Sequence, residues 1–348
     1  MLRRRASLGH PTMLIVMRPD ATDAEVASVV ERLRSLGADV NVSTEDGRTV
    51  VEGSVESALY EGAPWDSFPG VERALPVIPG GRRVGRDFQS VNTVVRVGDV
   101  SIGDGSVVVI AGPCAVETRD QLIDTARAVQ AAGAGILRGD AFKPRTSPYS
   151  FQGLGKAALE FLAEARDLTG LPFVAEVLDP RDVDLVSSYA DMIRIGTRNM
   201  SNYALLREVG RQDKPVLLKR GRASTVEEWI DSAEYVHSAG NPNLVLVERG
   251  VRGFDTLARN TLDITAVPVA KALTHLPVMV DPSHASGRKD LVAPLARAAV
   301  AVGADGVLLD VHPSPETALV DGAQALLPEE FASLMTELRA VRDALGRG

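Results

Sequence analysis

Along the last 250 or so residues of this chain, short apolar runs alternate with stretches whose apolar residues recur at helical spacing, and few folds accept that alternation. The apolar runs predict strands near 107–111, 136–138, 173–176, 192–195, 216–219, 244–248, 278–281 and 306–310. Helical spacing predicts helices over 119–132, 156–169, 225–238 and 290–302, with a last one over 328–345. Eight β-α units in about 250 residues match a (β/α)8 barrel. An open doubly wound sheet is the rival. It usually opens on a glycine-rich first turn, whereas the first turn here reads Ala111-Gly112-Pro113-Cys114. A small hairpin over 94–97 and 100–102 precedes the first barrel strand.

Residues 13–78 follow a different grammar. Met13–Met17 is a short apolar strand, and Thr22 with Glu25 three residues later forms a capping box. Val26, Val29, Val30 and Leu33 follow at helical spacing up to Gly37. Strands are expected over 38–44 and 49–52 around an Asp46-Gly47 turn, then a short helix over 54–60 and a strand over 71–78. The order β-α-β-β-α-β is the small α+β ferredoxin-like arrangement. The expected organisation is a loose leader over 1–12, the ferredoxin-like domain over 13–78, a linker over 79–93 around Pro79-Gly-Gly-Arg-Arg-Val-Gly-Arg86, and the barrel over 94–348.

The formal charge of −8 makes the 348-residue chain a poor nucleic-acid binder, so any cluster of Lys and Arg must be local and suited to small anions. One cysteine, Cys114, excludes an intramolecular disulfide framework. No apolar run reaches 18 residues, so no membrane span is expected. Arg3–Arg5 precede an apolar run of five residues, Met13–Met17, too short for a signal-peptide core. A cytoplasmic enzyme is expected, with Met13 placed to serve as an alternative start.

In a barrel the active site lies at the carboxyl ends of the strands. Those ends carry Cys114, Arg138, Lys143, Arg145, Glu176, Arg194, Arg198, Lys219, Arg220, Glu248, Arg249, Asp281, His284, Asp310 and His312, with Asp321 shortly beyond. A single charge just past a strand is most often surface. Charge at every strand end of an apolar barrel is not, because charged groups are rarely buried without partners. Arg138, Lys143, Arg145, Arg198, Lys219 and Arg249 would converge on one mouth, a costly arrangement unless anions are bound. Six cations imply more than one anionic group: two phosphorylated substrates, or one carrying both phosphate and carboxylate plus a further phosphate. The alternative is that some of them pair with Glu176, Glu248 and Asp281 as scaffold.

Cys114, His284, Asp310 and Asp321 combine soft and hard donors, which suits a divalent transition ion such as Mn, Fe, Co or Zn. The spacing has no local metal signature, and a lone Cys is more often a buried apolar filler; a catalytic Cys–His pair is a third reading, which no acyl-transfer motif supports. Trp65 and Trp229 read as packing residues. His237 and His275 fall outside the mouth. The segment 260–264 would orient a loop or cap a helix.

The strings Ile110-Ala-Gly-Pro-Cys114, Leu137-Arg138, Lys143-Pro-Arg-Thr-Ser-Pro-Tyr-Ser-Phe-Gln-Gly-Leu-Gly155, Ile195-Gly-Thr-Arg-Asn199, Leu218-Lys-Arg-Gly221, Glu248-Arg-Gly250 and Asp281-Pro-Ser-His284 resemble 3-deoxy-D-arabino-heptulosonate 7-phosphate (DAHP) synthases, in particular the subfamily with an N-terminal ferredoxin-like regulatory domain. The resemblance implies a transferase that condenses phosphoenolpyruvate with erythrose 4-phosphate at the start of the shikimate pathway of aromatic amino acid biosynthesis. It implies that Arg138, Lys143, Arg198, Lys219 and Arg249 hold phosphoenolpyruvate, that Arg145 and Thr146 hold the aldose phosphate, and that Asp281 belongs to the substrate site. It implies catalytic roles for Lys143, Cys114 and His284, with Cys114, His284, Asp310 and Asp321 holding the metal. Lys143 is the candidate for proton transfer, on the expectation that neighbouring cations lower its pKa. Feedback inhibition by tyrosine or phenylalanine at the small domain and a homotetramer or homodimer are likewise implied; some relatives partner with a chorismate mutase, but nothing in this sequence shows that surface.

Two positions depart from the family pattern. Asp310 stands where Glu is usual, and its side chain reaches less far by roughly 1.2–1.5 Å, while metal distances tolerate about 0.2 Å. Asp140 stands where the subfamily commonly has Gly, two residues after Arg138 and able to pair with a binding-site cation. These departures leave two alternatives, a sister synthase using another aldose phosphate and a non-catalytic homologue that binds phosphoenolpyruvate.

Overall fold

The computed structural model describes residues 12–45, 48–54, 65–77 and 82–346. The chain divides into two compact units, Met1–Arg82 and Arg83–Gly348.

The first unit is a four-stranded antiparallel sheet with strand order β2-β3-β1-β4. Its elements are β1 (Thr12–Met17), α1 (Asp23–Ser35), β2 (Asp39–Glu45), β3 (Arg48–Ser54) and β4 (Val71–Val77). The capping box forms as expected, with Thr22 N donating to Glu25 Oε2 at 2.8 Å and Glu25 N to Thr22 Oγ1 at 3.4 Å. Helix α1 buries Val29 and Leu33 on Ile15 and Val51 of the sheet. A single 3-10 turn over Trp65–Ser67 precedes β4, and Trp65 stacks on Phe68 at 5.5 Å. The expected Asp46-Gly47 turn and nearly all of the 54–60 helix lie outside the described residues.

The second unit opens with the hairpin β5 (Val95–Val97) and β6 (Val100–Ile102). Eight parallel strands follow: β7 (Val108–Gly112), β8 (Ile136–Arg138), β9 (Phe173–Val177), β10 (Met192–Ile195), β11 (Val216–Lys219), β12 (Leu244–Glu248), β13 (Val278–Val280) and β14 (Gly306–Asp310). They close on themselves, with Leu309 of β14 in register with Ala111 of β7. Closure removes both sheet edges and rules out the open doubly wound alternative. The covering helices are α2 (Arg119–Ala132), α3 (Lys156–Thr169), α4 (Val183–Tyr189), α5 (Tyr203–Val209), α6 (Val226–Ser238), α7 (Ala266–Leu273), α8 (Pro282–Ser286), α9 (Lys289–Ala301) and α10 (Pro328–Ala344).

Two apolar cores separate by strand alternation. Ile136, Met192, Leu217 and Leu308 point into the barrel, while their neighbours Leu137, Ile193, Leu218 and Leu309 face the helices. Val95, Val97 and Ile102 of the hairpin join the interior core and seal its lower end. The segment read as a linker, 79–93, is bound to the barrel from Arg83 onward. His275 spans Arg83 O and Thr93 Oγ1 at 2.7 Å each, and Gly85 bridges Thr274. Trp229 lies in the outer core and donates from Nε1 to Leu218 O at 3.1 Å.

Candidate active site

Strand alternation decides which charged residues reach the interior. Two residues beyond Ile136, Met192, Leu217, Met279 and Leu308, on the same inward face, stand Arg138, Arg194, Lys219, Asp281 and Asp310. Glu176 follows Val174 in the same way. The barrel therefore carries apolar residues below and a ring of three cations and three carboxylates above. Glu248 follows the outward-facing Leu246, and Arg220 the outward-facing Leu218. They pair with each other at 2.8 Å behind the barrel wall, where Arg220 also holds Asp263 at 2.9 Å. Asp263 in turn accepts from Ala266 N at 3.2 Å at the start of α7, so this part of 260–264 caps a helix. Asn260 donates from Nδ2 to His284 O at 3.2 Å.

Glycine makes two close approaches possible. A Cβ at Gly112 would lie 2.1 Å from Arg138 O, and one at Gly196 would lie 1.9 Å from Glu176 Oε1. The first lets β7 turn sharply into Cys114, and the second leaves Glu176 room to accept from Arg194 at 2.7 Å.

The ring opens upward into a cleft of about 420 Å³. Lys143, Arg145, Arg198, Lys219 and Arg249 line it, as does Thr146. Arg138 does not. It is fully buried beneath the cleft, donating to Asp310 and standing 3.5 Å from Asp140. Arg194, Arg222 and Arg259 complete the lining, giving eight Lys and Arg side chains against the two acids Glu176 and Asp321. Arg222 and Arg259 were not legible as site residues in the sequence. Arg222 had a signal, three residues past Lys219 at a strand end, whereas Arg259 sits in a long loop with none.

Cys114, His284 and Asp321 meet at the edge of this cleft. Cys114 Sγ lies 3.6 Å from His284 Nε2 and 3.5 Å from Asp321 Oδ2, and Nε2 lies 3.6 Å from that oxygen. Three donors with such edges suit one transition ion at about 2.0–2.3 Å. Donor atoms of Cys114, His284 and Asp310 also lie within 4.8 Å of one another, so the cluster can bind a metal. Asp310 approaches the other face of the imidazole, its Oδ2 3.5 Å from Nδ1. Its two oxygens are engaged by Arg138 and by Gln324, a partner the sequence did not suggest. Arg259 holds Asp321 at 3.0 Å, and Asp321 adopts φ 55°, the single left-handed non-glycine among the described residues. His312 turns away, accepting from Ser314 N at 3.0 Å.

Burial pushes the Cys114 thiol up to about 12, against the pull of Lys143. Burial lowers the pKa of His284 and so favours the neutral imidazole that a metal requires. Asp321 is held well below the carboxylate range; burial opposes this, and the charges of His284 and Arg259 overcome it. The expectation of a lowered Lys143 is corrected. Burial does lower it, but Asp140 at 2.7 Å, with Cys114 and Glu176, outweighs burial and raises it above its ordinary value. The lowered lysine is Lys219, which burial brings to about 8 in spite of its ion pair with Asp281.

Comparison with known proteins agrees with this geometry. Residues 87–344 match the DAHP synthetase I family, and residues 13–78 match the DAHP synthase ferredoxin-like domain. The phospho-2-dehydro-3-deoxyheptonate aldolase of Thermotoga maritima is 46% identical over 334 residues, covering 96% of this chain and 99% of the relative. A crystal structure of a phospho-2-dehydro-3-deoxyheptonate aldolase (DAHP synthase) from that organism superposes with a TM-score of 0.86 at 45% identity, covering 97% of this chain and 99% of that one. A 2-dehydro-3-deoxyphosphooctonate aldolase of Syntrophotalea carbinolica is 32% identical, covering 73% of this chain and 97% of the relative. With a matching barrel, a matching small domain and a cationic cleft beside a Cys/His/Asp cluster, this chain is an enzyme that belongs to the DAHP synthetase I family.

Proposed function

We propose that the cleft condenses phosphoenolpyruvate with D-erythrose 4-phosphate and water, giving 3-deoxy-D-arabino-heptulosonate 7-phosphate and inorganic phosphate, as the first step of the shikimate pathway. The observation that carries this reading is the cleft itself, where eight cations face two acids beside a cluster able to hold a metal. Lys143, Arg194, Lys219 and Arg259 have carboxylate partners, whereas Arg145, Arg198, Arg222 and Arg249 have none among the described residues, and two phosphorylated substrates supply the anions that these four require.

Lys219, Arg198 and Arg249 are placed to hold the donor's phosphate and carboxylate. Arg249 is 6% exposed, donates to His284 O at 3.1 Å, and has a buried NH1 without a partner to offer an anion. Arg145 and Thr146, farther out, are placed to hold the aldose phosphate. Cys114, His284 and Asp321, with Asp310 beside them, would hold a divalent transition ion, which when bound polarises the aldehyde oxygen as a Lewis acid. C3 of the donor then attacks the aldehyde carbon, water adds at C2, and phosphate leaves by C–O cleavage. Lys143, held as an ammonium by Asp140, is placed to deliver its proton to the new hydroxyl oxygen. The small N-terminal domain supports feedback regulation by an aromatic amino acid.

The direct test is phosphate release by chelator-stripped protein given both substrates, with Mn²⁺ and then other divalent ions restored. Turnover that returns with metal supports the reading. Absence of turnover with every divalent ion tried sinks it.

A further inference from the structure

Asp140 pairs with two of the cations that line the cleft, Lys143 and Arg194. Its side chain has no exposed surface. A single oxygen, Oδ2, lies 2.7 Å from Lys143 Nζ and 3.5 Å from Arg138 NH2, and accepts a hydrogen bond from Arg194 NH2. Three cations on one oxygen is the environment that phosphate-binding sites offer an oxyanion. Lys143 and Arg194 are also part of the cleft wall, so two of the three residues that hold Asp140 belong to the wall an incoming anion meets.

The cluster is underfilled. Arg138 Nε, Arg194 Nε and Arg194 NH1 are buried without a hydrogen-bond partner, and Asp140 Oδ1 has none either. Orphaned buried donors are costly, and a carboxylate with one engaged oxygen cannot satisfy a group built around several. An anion with more oxygens can. Meanwhile Asp140, Glu176 and Asp310 balance the charges of Arg138, Lys143 and Arg194, so the ring is neutral with no ligand bound.

We propose that Asp140 is a resident anion that competes with an incoming phosphate or carboxylate for Lys143 and Arg194, and so sets how tightly the donor is held and how readily the released phosphate leaves. Asp140 is thus a specificity-determining residue acting through two cations of the cleft. The proposal rests on the reading of the cleft as a phosphoenolpyruvate site, but its test does not need turnover.

Titration calorimetry of full-length protein, dialysed free of phosphate, against inorganic phosphate compares the wild type with Asp140→Asn. The expected result is at least tenfold tighter phosphate binding in the variant, with a larger rise in its thermal midpoint on adding phosphate. A residue that merely braces the ring would give the opposite, weaker binding on loss of its charge. Should Asp140→Asn not fold, Asp140→Gly, the residue common at this position in the subfamily, carries the test, again with tighter phosphate binding than wild type expected. Phosphate affinity equal to or below that of wild type in the folded variant overturns the proposal. In the condensation assay the same change lowers the donor KM about tenfold without raising kcat. A wild type inert with both substrates would count against the condensation, while the phosphate titration would still decide the role of Asp140.

Discussion

Lys143 is bound to Cys114 at two atoms: its ammonium donates to the Cys114 carbonyl at 3.1 Å and stands 3.0 Å from the sulfur. The proposed proton carrier and the proposed soft metal ligand are therefore neighbours, and Asp140 keeps the lysine charged. Replacing Lys143 with Met keeps the length of the side chain and removes the proton. Single-turnover measurements at saturating substrates are expected to slow by roughly 10²–10⁴-fold, the usual loss on deleting a general acid. Near-normal turnover in this variant would remove Lys143 from the chemistry.

The Cys114 thiol, raised to about 12, is protonated at neutral pH, whereas His284 is lowered and Asp321 is held ionised. Metal binding thus displaces one proton, from sulfur. Apparent metal affinity is expected to climb about tenfold per pH unit between pH 7 and 9, because the metal competes with that proton. Competition titrations with a chromogenic chelator across this range measure the slope. In Cys114→Ser the bound metal should be lost at concentrations that saturate the wild type.

Lys219 gives the cleft a pH limit of its own. Burial lowers its pKa to about 8, so it is charged below that value and neutral above it. A free enzyme that loses this charge binds an anionic donor less well, so the donor KM should rise as pH passes through about 8. Lys219→Arg keeps its charge at every accessible pH. Profiles of kcat/KM for the two proteins should diverge only above that point, and identical alkaline limbs would assign the titration to another group.

Asp310 and Arg138 form a fully buried pair. Removing the charge with Asp310→Asn leaves Arg138 with Asp140 at 3.5 Å as its remaining carboxylate. Loss of one partner of a buried pair typically costs about 3–5 kcal/mol. Urea unfolding should report a loss of that order, and a stability within about 1 kcal/mol of wild type would show that Asp140 and the Cys114 carbonyl suffice to hold the guanidinium.

The Gly196→Ala change tests the ring from another side. The added methyl would fall 1.9 Å from Glu176 Oε1, forcing that carboxylate away from Arg194. Destabilisation of about 1–3 kcal/mol is expected, as for overpacking elsewhere. Loss of donor affinity should accompany it, since Glu176 and Arg194 both line the cleft.

Much of the architecture could be read from periodicity, because strand and helix spacing in an alternating β-α chain leaves little freedom. The strand expected at 136–138 and the helices at 119–132 and 156–169 agree with the structure residue for residue. The strand-end rule also located the charged ring. What it could not convey was depth. Arg138 and Arg198 look alike in sequence, yet inward alternation buries the first beneath the cleft and leaves the second exposed on a 3-10 turn. The same rule misplaces Glu248, which lies on the outward face. The sign of the Lys143 shift was missed as well, because the sequence showed Asp140 able to pair with a binding-site cation but not that the cation was Lys143. Gln324 and Arg259 come from long connections, where no period exists to place a side chain.

The floor of the barrel has a genetic consequence. Everything that seals it, from the His275 clasp on Arg83 and Thr93 to the hairpin of Val95, Val97 and Ile102, is encoded downstream of residue 82. A recombination point just upstream of Arg83 would deliver a barrel with its base already closed. One placed at Val94, where the strand pattern begins, would deliver a barrel without its clasp. The N-terminal unit can thus be gained, exchanged or lost as a cassette without touching the charged ring of the barrel.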